Sequence, residues 1–346
     1  MTTTVCVTGA SGFLGAYVVR DLLEHGYHVK GTVRNLKKPT QYAYLTSMNS
    51  ADERLELVEA ELLAEGSYDQ AISGCDFVIH VASPYVLDVK NTQTDLVDPA
   101  LKGTLNVLRA CEKASTVKRV VLTSSGAAIT DSPEPGKVYT EKDWNEKSSL
   151  TRNPYYYSKT VAERAGWDFI KENKPSFDLV VINPIIVIGP SLSPSLNTSN
   201  IIFQAILTGV YPAIMNIGWA FVDVRDVAKA HRLAMENPNA KGRYLCANQT
   251  WTMRQIVELL RREGYTYKLP TMSLESGFGN FLVKLTSFMQ PPGVGTYLRT
   301  QIGRGYLFDN SKIKQDLGME FIPVEQSILE ATADLIQWGH VLVETA

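Results

Sequence analysis

No run of five or more like charges occurs in the 346 residues, and 34 basic against 36 acidic side chains leave a formal net charge of -2 and an isoelectric point near 6.2. A chain so balanced has no summed field to draw in polyanions, so nucleic acid is not an expected partner. Cysteine is scarce: Cys6, Cys75, Cys111 and Cys246 stand far apart, with none of the paired spacings that bind zinc or form a redox motif. They are expected to pack as small apolar residues in a reducing compartment. The five histidines share no ligand spacing, so no metal site is expected. No apolar run is long enough to span a bilayer, since the longest, residues 179–188, is interrupted by Asn183 and Pro184. Residues 1–4 lead into a strand-like segment and leave no room for a charged and apolar leader, which points to a cytoplasmic protein. Internal repeats and low-complexity stretches are lacking as well.

What the chain does have is core material, 45% apolar side chains against 20% charged, enough for about two domains. Residues 4–8, 28–33, 55–58, 77–81, 119–123 and 178–182 read as buried strands. Between them, Leu14, Val18 and Leu22 share one helical face, as do Val97, Leu101, Leu105 and Leu108, and then Val161, Ala162, Ala165 and Phe169. Strands alternating with helices imply an α/β fold, a doubly wound parallel sheet of the Rossmann kind. After Ile182 the composition turns to proline and serine up to residue 200, which marks an irregular border and the start of a smaller α+β substrate lobe. Residues 219–222, the stripe Val224, Val227, Ala228 and His231, and residues 244–246 read as a return to the main sheet. The two parts therefore interleave, with 1–183 and about 217–247 in the sheet domain and 184–216 and 248–346 in the substrate lobe. Phe281, Leu282, Leu285, Phe288 and Met289 recur at helical spacing and read first as a core helix of that lobe, with a pocket lid or a subunit contact as the alternative. Pocket walls are expected from 84–88, 127–131, 191–203 and 273–304.

The stretch Thr8-Gly9-Ala10-Ser11-Gly12-Phe13-Leu14-Gly15 follows a strand and opens a helix. Free backbone N–H groups and the positive end of the helix dipole then face whatever lies beyond the strand. A pyrophosphate fits there: Gly9 permits the tight turn, Gly12 lets the backbone approach the phosphates, and Gly15 lets the helix lie close. Ser11, Phe13 and Leu14 become cofactor neighbours. The end of the second strand selects the dinucleotide, because a carboxylate would bond the ribose 2′-OH of NAD whereas an arginine pairs with the 2′-phosphate of NADP. Thr32-Val33-Arg34-Asn35 offers the arginine and no acid, so NADP(H) is the expected cofactor. Lys37 and Lys38 either add charge at that phosphate or stand as solvated loop lysines.

Tyr155 and Lys159 are one helical turn apart and so share a face. A carbonyl that accepts hydride becomes an alkoxide and needs a proton at once. A phenol with a pKa near ~10 supplies it readily only beside a cation, here Lys159. Ser125 lies just past a buried strand, at the carboxyl edge of the sheet, where its hydroxyl can bond the substrate oxygen. Taken alone, Tyr155, Tyr156 and Tyr157 would read as aromatic packing. The order of glycine turn, arginine, serine and then the Tyr155/Lys159 helix makes the set a reduction site. Asp223, Arg225 and Asp226 read as a helix cap with its ion-pair partner. Ser125 lacks the Gly-x-Ser-x-Gly setting of a nucleophile elbow, which argues against a hydrolase.

With residues 7–13, His80-Val81-Ala82-Ser83-Pro84, Val121-Leu122-Thr123-Ser124-Ser125, residues 155–163, Asn183-Pro184 and residues 221–228, the chain resembles an extended short-chain dehydrogenase/reductase. The resemblance is to the branch holding plant dihydroflavonol 4-reductases, cinnamoyl-CoA reductases and yeast-type methylglyoxal or aldehyde reductases. It implies NADPH-dependent reduction of an aldehyde or ketone with Ser125, Tyr155 and Lys159 catalytic, Tyr155 being the proton donor. It also implies Arg34 at the 2′-phosphate, and Val81, Ala82, Ser83, Pro184, Val187 and Ser199 beside the cofactor. Glu61-Leu62 stands where relatives carry Asp-Leu near the adenine. Thr130 replaces the asparagine that holds flavonoid hydroxyls, and Asn153-Pro154-Tyr155-Tyr156-Tyr157-Ser158-Lys159 departs from the cinnamoyl-CoA reductase string, so neither plant substrate is carried over. The expected partner is a small, moderately bulky, uncharged carbonyl compound, and the expected state is a monomer or homodimer. Two alternatives stay open: a nucleotide-sugar epimerase or dehydratase with tightly bound NAD, and a non-catalytic NADP-sensing regulator.

Overall fold

In the first strand Val5 and Val7 face one apolar layer and Cys6 the other, the period-two alternation of a strand covered on both sides. The computed structural model describes residues 2–83, 91–265, 268–290 and 292–342. Six strands of the main sheet come first: β1 (Thr4–Thr8), β2 (His28–Val33), β3 (Leu55–Glu59), β4 (Phe77–His80), β5 (Arg119–Thr123) and β6 (Asp178–Pro184). Then β7 (Ile186–Ile188), β8 (Ala213–Met215) and β9 (Gly218–Asp223) lie outside their sheet, and β10 (Gly242–Cys246) returns to it. The order β10-β6-β5-β4-β1-β2-β3 is parallel throughout. Helices α1 (Phe13–Glu24), α2 (Asp98–Ala114), α3 (Pro154–Asn173), α4 (Ile201–Leu207) and α5 (Val224–Glu236) follow the strands. Pairs α1/α5 and α2/α3 pack together on opposite faces of the sheet, giving the expected doubly wound α/β fold. Because β1 has β2 on one side and β4 on the other, the order in which strands are laid down reverses at β1, and the crevice at the carboxyl ends of β1 and β4 is where such folds take ligands.

Two expectations need correction. The return of 217–247 to the main sheet is split: α5 and β10 do return, but β9 pairs with β7 and with β11 (Gln249–Thr252) in a separate three-stranded sheet. The reason lies in the side chains, since Trp219 and Phe221 of β9 pack with Phe203, Ile206, Ile256 and Ile328 in a second core. That core is closed by α6 (Met253–Arg262), and the lobe continues through β12 (Met272–Leu274), α7 (Gly277–Thr286), α8 (Pro292–Gln301) and α9 (Val324–Gln337). The second correction concerns α7, read from its apolar stripe as a core helix. Phe278 is 75% exposed, Phe281 62% and Met289 86%, while Gly279, Val283 and Ser287 face inward. A Cβ on Gly279 would stand 2.2 Å from the Leu274 carbonyl oxygen, so the approach of this helix to its neighbour requires the small-residue face inside. The expected pocket wall at 84–88 lies outside the described residues.

Candidate active site

Thr8 ends β1, and its hydroxyl ties the glycine turn to β4. Its Oγ1 accepts from the N–H groups of Val81 at 3.1 Å and Ala82 at 3.0 Å, so its own proton goes to His80 Nδ1, 2.7 Å away. This network assigns the His80 proton to Nε2. Burial, then the neighbouring Lys159, holds His80 down to about 3, so the ring is neutral. Gly9 follows in the left-handed region at φ +68°, its N–H donating to Thr32 Oγ1 at 3.0 Å, and the Ala10 N–H reaches the Thr32 carbonyl at 3.0 Å. A Cβ on Gly15 would lie 2.1 Å from the Gly9 oxygen, so α1 meets the turn this closely only with glycine there. Helix α1 has no side-chain cap and no acid in its first turn, which leaves its first N–H groups for an anion. Ser11, Phe13 and Leu14 are half-buried at this corner. The residues present fit a dinucleotide diphosphate.

Arg34 stands exposed just beyond β2, with no hydrogen bond or ion pair to a described residue, and Lys38 is exposed further along the same loop. Past β3, the Glu61 backbone is fixed through Ser67 Oγ at 3.0 and 2.6 Å, and Leu62 packs on Gly103 of α2. Val81, Ala82 and Ser83 follow β4, Pro184 ends β6, Val187 lies in β7, and Ser199 precedes α4.

Helix α3 begins after Asn153, at φ +47°, with Pro154 in its first turn, where proline's missing N–H is no loss. Tyr155 comes next, and Lys159 lies one turn on with Nζ 5.9 Å from the centre of the Tyr155 ring. Lys159 Nζ donates to Ser83 Oγ at 2.9 Å, and burial brings the ammonium down to about 8. Ser125 follows β5 with its Oγ accepting from the Ala127 N–H at 3.1 Å. The short turn Gly126–Ala128 packs on α3, so Ser125, Tyr155, Lys159 and Ser83 gather at the carboxyl ends of β4 and β5. Lys159 also lines a cavity of about 20 Å³ together with His80, Ser83, Thr123, Ser124 and Glu163. Thr130 is buried, and its Oγ1 accepts from the Ser132 N–H at 3.3 Å within its own loop.

Sequence reasoning assigned no role to Thr8, Asn183 or Glu163. The signal for Thr8 was its place immediately before the glycine turn, and for Glu163 its position one helical turn after Lys159. Outside the site, Asp223 caps α5, its Oδ1 accepting from the Arg225 N–H at 2.8 Å and its carboxylate pairing with the Arg225 guanidinium. The four cysteines are buried and unpaired. A larger cavity of about 490 Å³ opens between α1, α5 and Glu320, Phe321 and Ile322, lined by charges of both signs and by none of the site residues. Among the described residues no group of three His, Cys, Asp or Glu side chains is arranged to hold a metal ion, and no helix is long and apolar enough to cross a membrane.

The profile described as the NAD dependent epimerase/dehydratase family matches residues 5–247. The chain is 40% identical over 339 residues to cinnamoyl-CoA reductase CAD2 of Medicago truncatula, covering 96% of this chain and 95% of that protein. It is 37% identical to a bifunctional dihydroflavonol 4-reductase/flavanone 4-reductase of Malus domestica, with 78% of each chain covered. Among solved structures, Gre2 from Candida albicans in complex with NADPH superposes with a TM-score of 0.80 at 32% identity, over 97% of this chain and 99% of that one.

Proposed function

Because the chain belongs to the NAD dependent epimerase/dehydratase family, and the relatives it matches are named reductases, we propose that it reduces an aldehyde or ketone to an alcohol with NADPH. One observation carries the reading: Tyr155 and Lys159 share a helix face at the carboxyl ends of β4 and β5, beside a glycine turn whose helix start is uncapped. NADPH, when bound, supplies the hydride. The turn Gly9 to Gly12 and the first N–H groups of α1, with Ser11, Phe13 and Leu14, would hold its diphosphate, and Arg34 with Lys38 its 2′-phosphate. Glu61 and Leu62 would meet the adenine, with Val81, Ala82, Ser83, Pro184, Val187 and Ser199 as further neighbours.

The chain's own work is to orient the carbonyl and deliver a proton. Ser125 and Tyr155 hydroxyls hydrogen-bond the substrate oxygen, and Tyr155 gives up its phenolic proton as charge develops there. Lys159, protonated below about pH 8, stabilises the phenolate left behind. The named reductase relatives support a small-molecule carbonyl partner, the net charge of -2 argues against a polyanionic one, and four free, buried cysteines fit a reducing, cytoplasmic compartment. The test is NADPH oxidation against aliphatic aldehydes, aryl ketones, diketones and dihydroflavonols, with NADH in parallel and with Tyr155→Phe as control. Turnover of at least one carbonyl by the wild type, lost in Tyr155→Phe while NADPH still binds, is expected. Copurified NAD with no NADPH oxidation would point instead to an epimerase.

A further inference from the structure

We infer that Glu163 is a positioning residue that holds Ser125 in register with Tyr155 and Lys159, an inference that rests on the reductase reading above. Glu163 is only 1% exposed. A carboxylate buried so deeply must have its lone pairs filled by donors. Its Oε2 accepts from Ser124 Oγ at 2.5 Å, Asn183 Nδ2 at 2.7 Å and Arg243 Nη2 at 3.3 Å. Its Oε1 lies 2.6 Å from Arg243 Nε and accepts from Trp167 Nε1 at 3.3 Å.

These donors pass the constraint on to the serine loop. Asn183 Nδ2 also donates to the Ser125 carbonyl at 3.2 Å, and Arg243 Nη2 reaches the Ala128 carbonyl at 3.4 Å. Arg243 is itself pinned by the carbonyls of Glu141 at 3.0 Å and Asp143 at 2.6 Å and by the Trp144 ring at 3.9 Å. One carboxylate therefore fixes the side chain before Ser125, the Ser125 carbonyl and the carbonyl three residues later. Residues 155, 159 and 163 lie on one face of α3, so the anchor of the serine loop, the proton donor and its cation belong to one rigid element. Glu163 touches the Ser125 backbone only through others, which makes its role one of register.

Glu163→Gln keeps the side chain's shape but turns an NH₂ group toward N–H donors, those of Arg243 and Trp167 on one side or of Arg243 and Asn183 on the other, where Ser124 Oγ alone is a hydroxyl that can turn to accept. The experiment measures kcat per NADPH-binding site, counted by fluorescence titration, for wild type, Glu163→Gln, Ser125→Ala and the double variant. Glu163→Gln should bind NADPH with unchanged affinity and lose on the order of tenfold to a hundredfold in kcat, the cost of misplacing a reacting group by about 1 Å. In the Ser125→Ala background the same substitution should cost almost nothing further, because the group it positions is gone. A merely structural carboxylate would reduce the number of binding sites and leave kcat per site alone. An unchanged kcat in Glu163→Gln, or an equal loss in both backgrounds, overturns the inference while the reductase reading stands. If Ser125→Ala itself turns over normally, the inference falls while the reductase reading stands; a wild type that oxidises no NADPH with any carbonyl overturns that reading instead. Ser124→Ala, which removes one donor, carries the same cycle if Glu163→Gln does not fold, with a smaller loss expected in the same direction and no coupling refuting the role.

Discussion

Replacing Lys159 with methionine should make the protein more stable and inactive. Burial holds the ammonium at about 8 instead of its ordinary 10.5. At ~1.4 kcal/mol per pH unit, keeping that proton in the folded state costs about 3 kcal/mol at neutral pH. Methionine keeps the unbranched stem and removes the charge, while the loss of the 2.9 Å bond to Ser83 returns about 1 kcal/mol, leaving a net gain of about 2 kcal/mol at pH 7. The sign of the pH dependence follows. Below about 8 the lysine is protonated folded and unfolded, and the wild type bears the full cost. Between about 8 and 10.5 the unfolded chain binds more protons than the folded one, so wild-type stability rises relative to the variant with pH. Urea unfolding of both proteins from pH 7 to 10 measures the difference directly, since other groups titrate in both. A variant less stable than wild type at pH 7, or a difference that does not shrink toward pH 10, would refute the claim that this ammonium is held at a cost. The same variant should show no measurable NADPH oxidation.

Arg34→Ala removes the expected partner of the 2′-phosphate and should raise KM for NADPH by roughly ten- to a hundredfold while leaving NADH nearly unaffected, as paired steady-state assays would show. Gly15→Ala brings a Cβ to 2.1 Å from the Gly9 oxygen, so the turn must shift; thermal unfolding should register a loss of about 2 kcal/mol or more, and NADPH titration a weakened affinity.

The parts legible in the sequence were local ones. A glycine turn between strand and helix and a Tyr155/Lys159 pair one turn apart are fixed by backbone periodicity, so spacing alone places them. Thr8, Asn183, Glu163 and Arg243 were not legible as a scaffold because their partners are far away in the chain, His80 for Thr8 and Arg243 for Glu163 among them. Residues 219–222 were recognised as a buried strand but assigned to the wrong sheet, since burial on both faces looks alike in either. The stripe on α7 reveals an apolar face and not what it faces; there the inward side is the small one, Gly279, Val283 and Ser287.

The central claim is hydride transfer to a carbonyl with Tyr155 supplying the proton, and the most direct test follows the hydride itself. With NADPH carrying deuterium at the transferable position and a carbonyl compound that the wild type turns over, mass spectrometry of the product should find one deuterium on the former carbonyl carbon. Tyr155→Phe should form no labelled alcohol while still binding the cofactor. An unlabelled product, or labelled alcohol formed at wild-type rate by Tyr155→Phe, would contradict the account.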